Sequence, residues 1–177
     1  MEVYLLRHGQ TDWNIAKKLQ GRTDVLLNET GIIQAKDAAS RLSDVEFDVI
    51  YSSPLSRALK TAQIIAKRRG TPIITDDRLV EMSFGTLEGT ENYLTTLAIF
   101  TSPEKYHPID GGESFTDVRE RAKAFLDDIK TKPFNRILVV SHGAFCRSLL
   151  CHINNIPIKH TWNAPPMPNC EAIIINI

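Results

Sequence analysis

The sequence predicts an α/β fold, a three-layer α/β/α sandwich around a mostly parallel central sheet. Three observations carry this expectation. Short apolar-rich runs at 3–6, 47–51, 136–141 and 172–177 have the length of strands, and the run at 136–141 reads as fully buried. Stretches with apolar residues at helical spacing lie between them, and strands that alternate with helices place helices on both faces of a sheet. The runs at 3–6 and 136–141 also lead into His-Gly pairs, His8-Gly9 and His142-Gly143. That puts polar chemistry at the carboxyl edge of the strands, where open α/β sheets bind their ligands.

The first strand stops at Gly9, so Arg7 and His8 stand at its end. A polar stretch, 10–28, follows; it is long for a connection and is expected to be functional. Asn28 suits an N-cap before a helix whose apolar face is Ile32, Ile33, Ala35, Ala38, Ala39 and Leu42. After the second strand, Pro54 fits the first turn of a helix, where its missing N–H is harmless. Leu55, Leu59, Ala62, Ile65 and Ala66 carry this helix to Gly70, and 72–75 is a short third strand. Residues 90–110, with prolines at 103 and 108, are expected to form one helix and a loop that lid the site. Ser114 with Asp117 approximates a capping box before Val118, Ala122, Phe125, Leu126 and Ile129. The 136–141 strand leads into a helix over 144–152, and 172–177 alternates too little to be one-sided, which predicts a last buried strand.

At 177 residues the chain is expected to be one domain, 1–177, with a substantial core. Lysine plus arginine equals aspartate plus glutamate at 21 each, so no global charge draws it to nucleic acid or a membrane surface. Cysteines at 146, 151 and 170 are odd in number and lack framework spacing, which suggests free thiols in a reducing compartment. The opening residues do not read as a signal peptide, and no run is long enough for a bilayer, so a cytoplasmic location is expected.

Four segments carry the chemistry. They are Arg7-His8-Gly9 with Thr11 and Asn14; Ser52-Ser53-Pro54-Leu55-Ser56-Arg57-Ala58; Glu81 through Gly89; and Ser141-His142-Gly143. With Gln20-Gly21, Leu27 through Gly31 and Gly111-Gly112-Glu113-Ser114, they resemble the histidine phosphatase family, the phosphoglycerate-mutase-like enzymes, nearly end to end. The resemblance implies that family's fold and a phosphohistidine intermediate on His8. It further implies Glu81 as the general acid, and Glu88 before Gly89 as a structural residue. Asn14 and Gln20 match polar positions near the phosphate, although loop amides also serve ordinary turn chemistry.

The residue chemistry agrees. Phosphoryl transfer needs an in-line nucleophile, positive charge around the equatorial oxygens, and a proton for the leaving oxygen. A neutral imidazole is a competent nucleophile if one tautomer is held. Arg7 and Arg57 supply fixed cations and should keep His8 neutral, and Arg57 near a helix start lies where an anion is favoured. His142, if protonated on a bound phosphate, adds a third charge-assisted donor. Gly21 and Gly143 let backbone N–H groups approach a phosphate closely. The expected catalytic residues are therefore His8, Glu81, His142, Arg7 and Arg57. The expected phosphate-binding residues are Arg7, Asn14, Gln20, Gly21, Arg57, His142 and Gly143. No metal and no cofactor is expected, and the partner is a small phosphate ester.

The reaction expected is that of an acid-type histidine phosphatase. A cofactor-dependent mutase and a catalytically dead phosphate-binding module on the same fold are the alternatives. Only Lys105 adds a cation between Glu91 and Tyr106, and the chain reads Leu87-Glu88-Gly89 where such mutases, by resemblance, carry Leu-Thr-Gly. The histidines and cysteines from 142 to 160 match no recognised metal-ligand spacing. The ester itself, whether sugar, glycerate, nucleoside-like or phosphoamino acid, is not readable, nor is the oligomeric state.

Overall fold

The computed structural model describes the chain except residues 92–98, 100, 101, 109 and 166, together with the side chains of 162 and 163. Five strands form one sheet: β1 (Glu2–Arg7), β2 (Val49–Ser52), β3 (Ile73–Thr75), β4 (Arg136–Ser141) and β5 (Ala172–Asn176). Their order is β3-β2-β4-β1-β5. Four strands run parallel, and β5 pairs antiparallel with β1. The α-helices among the described residues are α1 (Asp12–Ile15), α2 (Glu29–Arg41), α3 (Ser56–Ala66), α4 (Phe115–Ile129) and α5 (Gly143–Ile153).

Strand periodicity divides the core in two. Val3, Leu5, Val49, Tyr51, Ile137 and Val139 point to one face and pack under α4 and α5, with Phe115, Phe125 and Phe145 as large buried members. Leu6, Ile50, Leu138 and Val140 point the other way, onto Ala35 and Ala38 of α2 and Ala58 and Ala62 of α3. The small alanines let these two helices lie close on the sheet. The result is the three-layer α/β/α sandwich, with β4 between β1 and β2 and the carboxyl ends of all three side by side.

Several local expectations are corrected. The last strand is not buried: it is an edge strand with alternating exposure, Ile174 standing 53% exposed, with no strand beyond it among the described residues. Ile33 leaves the apolar face of α2 and is exposed, since the faces of α2 that meet the sheet are Gly31, Ala35 and Ala38. Pro54 lies before the helix rather than in its first turn: Leu55 is the N-cap. That helix ends at Ala66, and the chain turns to a left-handed Gly70. Within 10–28 the capping box of Thr11 and Asn14 starts the unforeseen one-turn helix α1. The N-caps at Asn28 and Ser114 are as expected, the latter with its full capping box to Asp117. Of the expected lid, residues 92–98, 100, 101 and 109 lie outside the described residues; among the rest, Ile99 is buried and Tyr106 packs against the α4–α5 core.

Candidate active site

β1, β2 and β4 end together, and their last residues build the floor of the site. The His8 N–H donates to the Ser141 carbonyl at 3.0 Å and the Ser53 N–H donates to the Val140 carbonyl at 3.0 Å, so the ladder continues one residue past the strands. His8 and His142 are thereby brought ring to ring, centroids 5.1 Å apart and tilted by 58°. Both rings are buried. The His8 Nδ1 lies 2.6 Å from the carbonyl oxygen of Gly9. A carbonyl only accepts, so Nδ1 carries the proton and the lone pair is on Nε2. The tightness of this bend has a steric basis: a Cβ on Gly9 would sit 2.5 Å from the Gly31 carbonyl oxygen.

Arg57, on the first turn of α3, is fully buried and is held by two carbonyls. It donates from Nη1 to Thr23 at 2.8 Å and from Nη2 to Gly21 at 2.7 Å, while its Nε has no partner among the described residues. Arg7 donates to the Met167 carbonyl at 3.1 Å, and its Nε likewise has none. Two buried N–H donors without an acceptor, on two cations, mark a place built for an anion. The N-terminus of α3 is less open than expected: Asp24 already accepts from the Ser56 N–H at 2.8 Å and the Ser56 hydroxyl at 2.5 Å.

Burial, then the charges of Arg57 and Arg7, push His8 well below the ordinary histidine range, and the Gly9 carbonyl opposes this only in part. His8 is neutral near pH 7, as a nucleophile requires. Burial, followed by Arg57, His8 and Arg7, does the same to His142. In the free site His142 therefore stands as a neutral ring, and the protonation expected of it belongs to a state with phosphate bound. Its Nε2 is 2.8 Å from the Ser53 hydroxyl and its buried Nδ1 has no partner among the described residues.

Glu81 reaches the site from the other side of the cleft. It lies between two single-turn 3-10 helices, Asp77–Leu79 and Gly85–Leu87. Oε1 accepts the N–H groups of Met82 at 3.0 Å, Ala144 at 3.1 Å and Phe145 at 3.1 Å. A carboxylate thus rests on the first free N–H groups of α5, where the helix dipole favours it. Arg121 of α4 holds this segment through the Arg78 and Val80 carbonyls, both at 2.6 Å, and Glu113 accepts from the Ser83 N–H at 2.9 Å.

Glu88 has a different setting. Its two oxygens accept from the N–H groups of Arg22, Thr23 and Phe84 and from the Thr23 hydroxyl, at 2.6–3.1 Å. It staples the Gly21 loop to the Glu81 segment. Gly21 has φ +52°, and a Cβ there would meet the Glu88 Oε1 at 2.0 Å, so any side chain would be strained and would displace the Glu88 carboxylate.

These elements surround a cavity of about 290 Å³. Of the residues expected there, Arg7, His8, Asn14, Gln20, Gly21, Arg57, Glu81 and Gly143 line it, with His142 packed against His8 behind them. Gln20 is buried with its Oε1 unpartnered among the described residues, whereas the Asn14 Oδ1 accepts from the Thr11 N–H at 3.1 Å. Sequence reasoning did not single out Lys18, Leu19, Phe84, Ala144 and Arg147, which also line the cavity. Arg147 had one available signal, its place four residues beyond Gly143 and so on the same helix face. Asn169, whose side chain donates to the His8 carbonyl at 2.7 Å, had none. Among the described residues no three His, Cys, Asp or Glu side chains gather as a metal-binding group.

Two apposed imidazoles, two guanidinium groups and a carboxylate across the cleft, gathered at one sheet edge, supply the residue types that phosphoryl transfer asks for. The chain belongs to the histidine phosphatase superfamily, branch 1, whose family model matches residues 3–177. Phosphoserine phosphatase 1 of Hydrogenobacter thermophilus is 32% identical over 170 residues, covering 92% of this chain and 81% of that protein. A Proteus mirabilis protein named a probable phosphoglycerate mutase is 36% identical over 166 residues, covering 89% and 76%. The solved structure of YhfR from Bacillus stearothermophilus superposes with a TM-score of 0.92 at 33% identity, covering 99% of this chain and 91% of that one.

Proposed function

We propose that this protein is a phosphomonoesterase of the histidine acid-type that hydrolyses a small phosphate ester through a phosphohistidine on His8, without a metal. The observation that carries the reading is the neutral His8 ring, proton on Nδ1, held beside the unpartnered Nε donors of Arg7 and Arg57. The Nε2 lone pair attacks phosphorus as the ester oxygen leaves, and Glu81 supplies the proton that oxygen takes up. Glu81 then removes a proton from water as the water oxygen attacks phosphorus, which frees phosphate and returns the electron pair to Nε2. Arg7, Arg57, Gln20 and the Gly143 N–H bind the phosphoryl oxygens, with the His142 N–H as a further donor and Asn14 at the rim. The names of relatives support a phosphatase, and the name phosphoserine phosphatase supports reading phosphoamino-acid esters as candidate substrates. The three buried free thiols suit a reducing compartment such as the cytoplasm.

A mutase reading draws support from the Proteus relative's name and from Lys18 and Arg147, two cations in the cavity beyond the expected pair. One experiment addresses both. With EDTA present throughout, turnover of an ester quenched in alkali should leave an acid-labile phosphoprotein that His8→Ala lacks. Labelling that survives in His8→Ala, or an absolute metal requirement, overturns the proposal. Conversion of 3-phosphoglycerate to 2-phosphoglycerate at a rate matching hydrolysis would replace it with the mutase.

A further inference from the structure

Ser53 and His142 are the first residues after β2 and β4, two strands paired side by side, and both are fully buried. With the Ser53 N–H on the Val140 carbonyl, the Ser53 hydroxyl comes to lie 2.8 Å from the His142 Nε2. The same hydroxyl accepts the N–H of Leu55, the N-cap of α3, at 3.3 Å. One oxygen thus links the helix that carries Arg57 to the residue that caps α5. In the free site the His142 ring is neutral and holds a single proton. Which nitrogen holds it decides whether the ring offers a phosphate an N–H or a lone pair.

A hydroxyl has one hydrogen and two lone pairs. One lone pair takes the Leu55 N–H, and the hydrogen has one acceptor in reach among the described residues, the His142 Nε2. The reverse assignment, with Nε2–H donating to Ser53, leaves two buried groups unmet. These are the serine hydrogen and a bare lone pair on Nδ1, to which no described residue donates. Buried polar groups are rarely left so. With the proton on Nδ1, the one unmet group is an N–H. It joins the unpartnered Nε–H groups of Arg57 and Arg7, the two arginines whose charges act on this ring. Three buried donors without an acceptor suit a single anion.

We propose that Ser53 is a positioning residue: its hydroxyl donates to the His142 Nε2 and so holds the proton on Nδ1, where the neutral ring gives a hydrogen bond to the phosphoryl group. This rests on the phosphatase reading and adds to it a residue that never touches the substrate. When the ring takes up a second proton with phosphate bound, the new N–H is on Nε2, and the hydroxyl turns to accept it with its free lone pair. The same serine therefore serves both charge states of the ring.

Nitrogen-15 NMR at neutral pH, with the ring assigned by its loss in His142→Gln, reads the tautomer in wild type without turnover and without a Ser53 variant. Nδ1 should give the pyrrole-type signal and Nε2 the pyridine-type signal; a pyrrole-type Nε2 overturns the proposal. Ser53→Ala should spread the proton over both nitrogens and weaken binding of inorganic phosphate by about tenfold, the worth of one hydrogen bond to a charged group. Because Ser53 acts through the ring, Ser53→Ala added to His142→Gln should cost no further phosphate affinity. A residue that only props the fold would cost the same in both backgrounds, so multiplicative losses overturn the proposal. The expected tautomer and phosphate binding, in a protein that neither hydrolyses p-nitrophenyl phosphate nor forms a phosphoprotein, overturn the phosphatase reading and leave the role of Ser53 standing.

Discussion

The Glu81 carboxylate accepts the Ala144 N–H with both oxygens, Oε1 at 3.1 Å and Oε2 at 3.2 Å, so the proposed acid is fixed to the helix that follows His142. The two proposed halves of the reaction, nucleophile just after β1 and acid after β3, are joined through the start of α5. Oε1 is also taken by Met82 and Phe145, which leaves Oε2 as the oxygen with free valence toward the cavity.

Glu81→Gln should keep this docking partly intact but cannot give and then take a proton. A loss of about 10²–10⁴ in kcat is expected for an alkyl phosphate, the usual worth of general acid–base catalysis. The loss should be far smaller for p-nitrophenyl phosphate, whose leaving group needs little protonation. Equal losses on the two esters would make Glu81 a binding or structural residue.

Glu88→Gln tests the opposite assignment. In the glutamate each oxygen accepts two donors; in the amide, one of those faces becomes an NH₂ group pointed at N–H or O–H donors. Destabilisation of about 1–3 kcal/mol follows from hydrogen bonds to a charged group, lowering Tm by roughly 3–10 °C. Because Glu88 holds the loop whose Gly21 and Thr23 carbonyls seat Arg57, activity should fall as well, and by a similar factor for alkyl and nitrophenyl esters. A leaving-group dependence in Glu88→Gln would move the acid to this residue. Unchanged Tm would remove the stapling role.

The parts of the fold legible in the sequence are those set by local pattern. The buried strands β1 and β4 announce themselves because both faces are apolar, and Asn28 and Ser114 because capping is local chemistry. What failed was set by partners far along the chain. Low alternation in 172–177 reads as burial, but the strand has β1 on one side and, among the described residues, no strand on the other. Pro54 reads from local pattern as a first-turn residue, yet the start of α3 is held by Asp24, thirty-two residues before Ser56. At the site Arg7, His8, Arg57 and His142 are legible because they stand at the end of a strand or the start of a helix. Lys18, Arg147 and Asn169 were not, since a lone cation or amide reads as an ordinary surface residue until the fold turns it inward.

The last prediction concerns acid stability, and its sign follows from the two buried rings. His8 and His142 are each held well below the ordinary histidine value, burial being the largest cause and the arginine charges adding to it. His152 shifts the same way, first through partial burial and then through Arg119. In the unfolded chain a histidine takes up its proton near pH 6.5, whereas in the fold these rings stay neutral to a lower pH. Between those limits the unfolded state binds more protons, so stability rises with pH. The stabilisation is fully present above about pH 6.5 and is lost progressively as pH falls from there toward the folded-state values. Each histidine contributes at most about 1.4 kcal/mol per pH unit to the slope. The carboxylates held low, Asp48 by the Arg136 and Asn135 N–H groups and Asp117 by Ser114, act only at lower pH, where carboxylates begin to protonate. Urea midpoints measured from pH 7.5 to 5 should therefore be flat at first and then fall below about 6.5. His8→Asn, which removes one ring that cannot charge in place, should show a shallower fall by up to one histidine's share. A wild-type midpoint that stays level or rises on acidification from pH 6.5 to 5 would mean the rings accept protons inside the fold, and the neutral nucleophile would lose its basis.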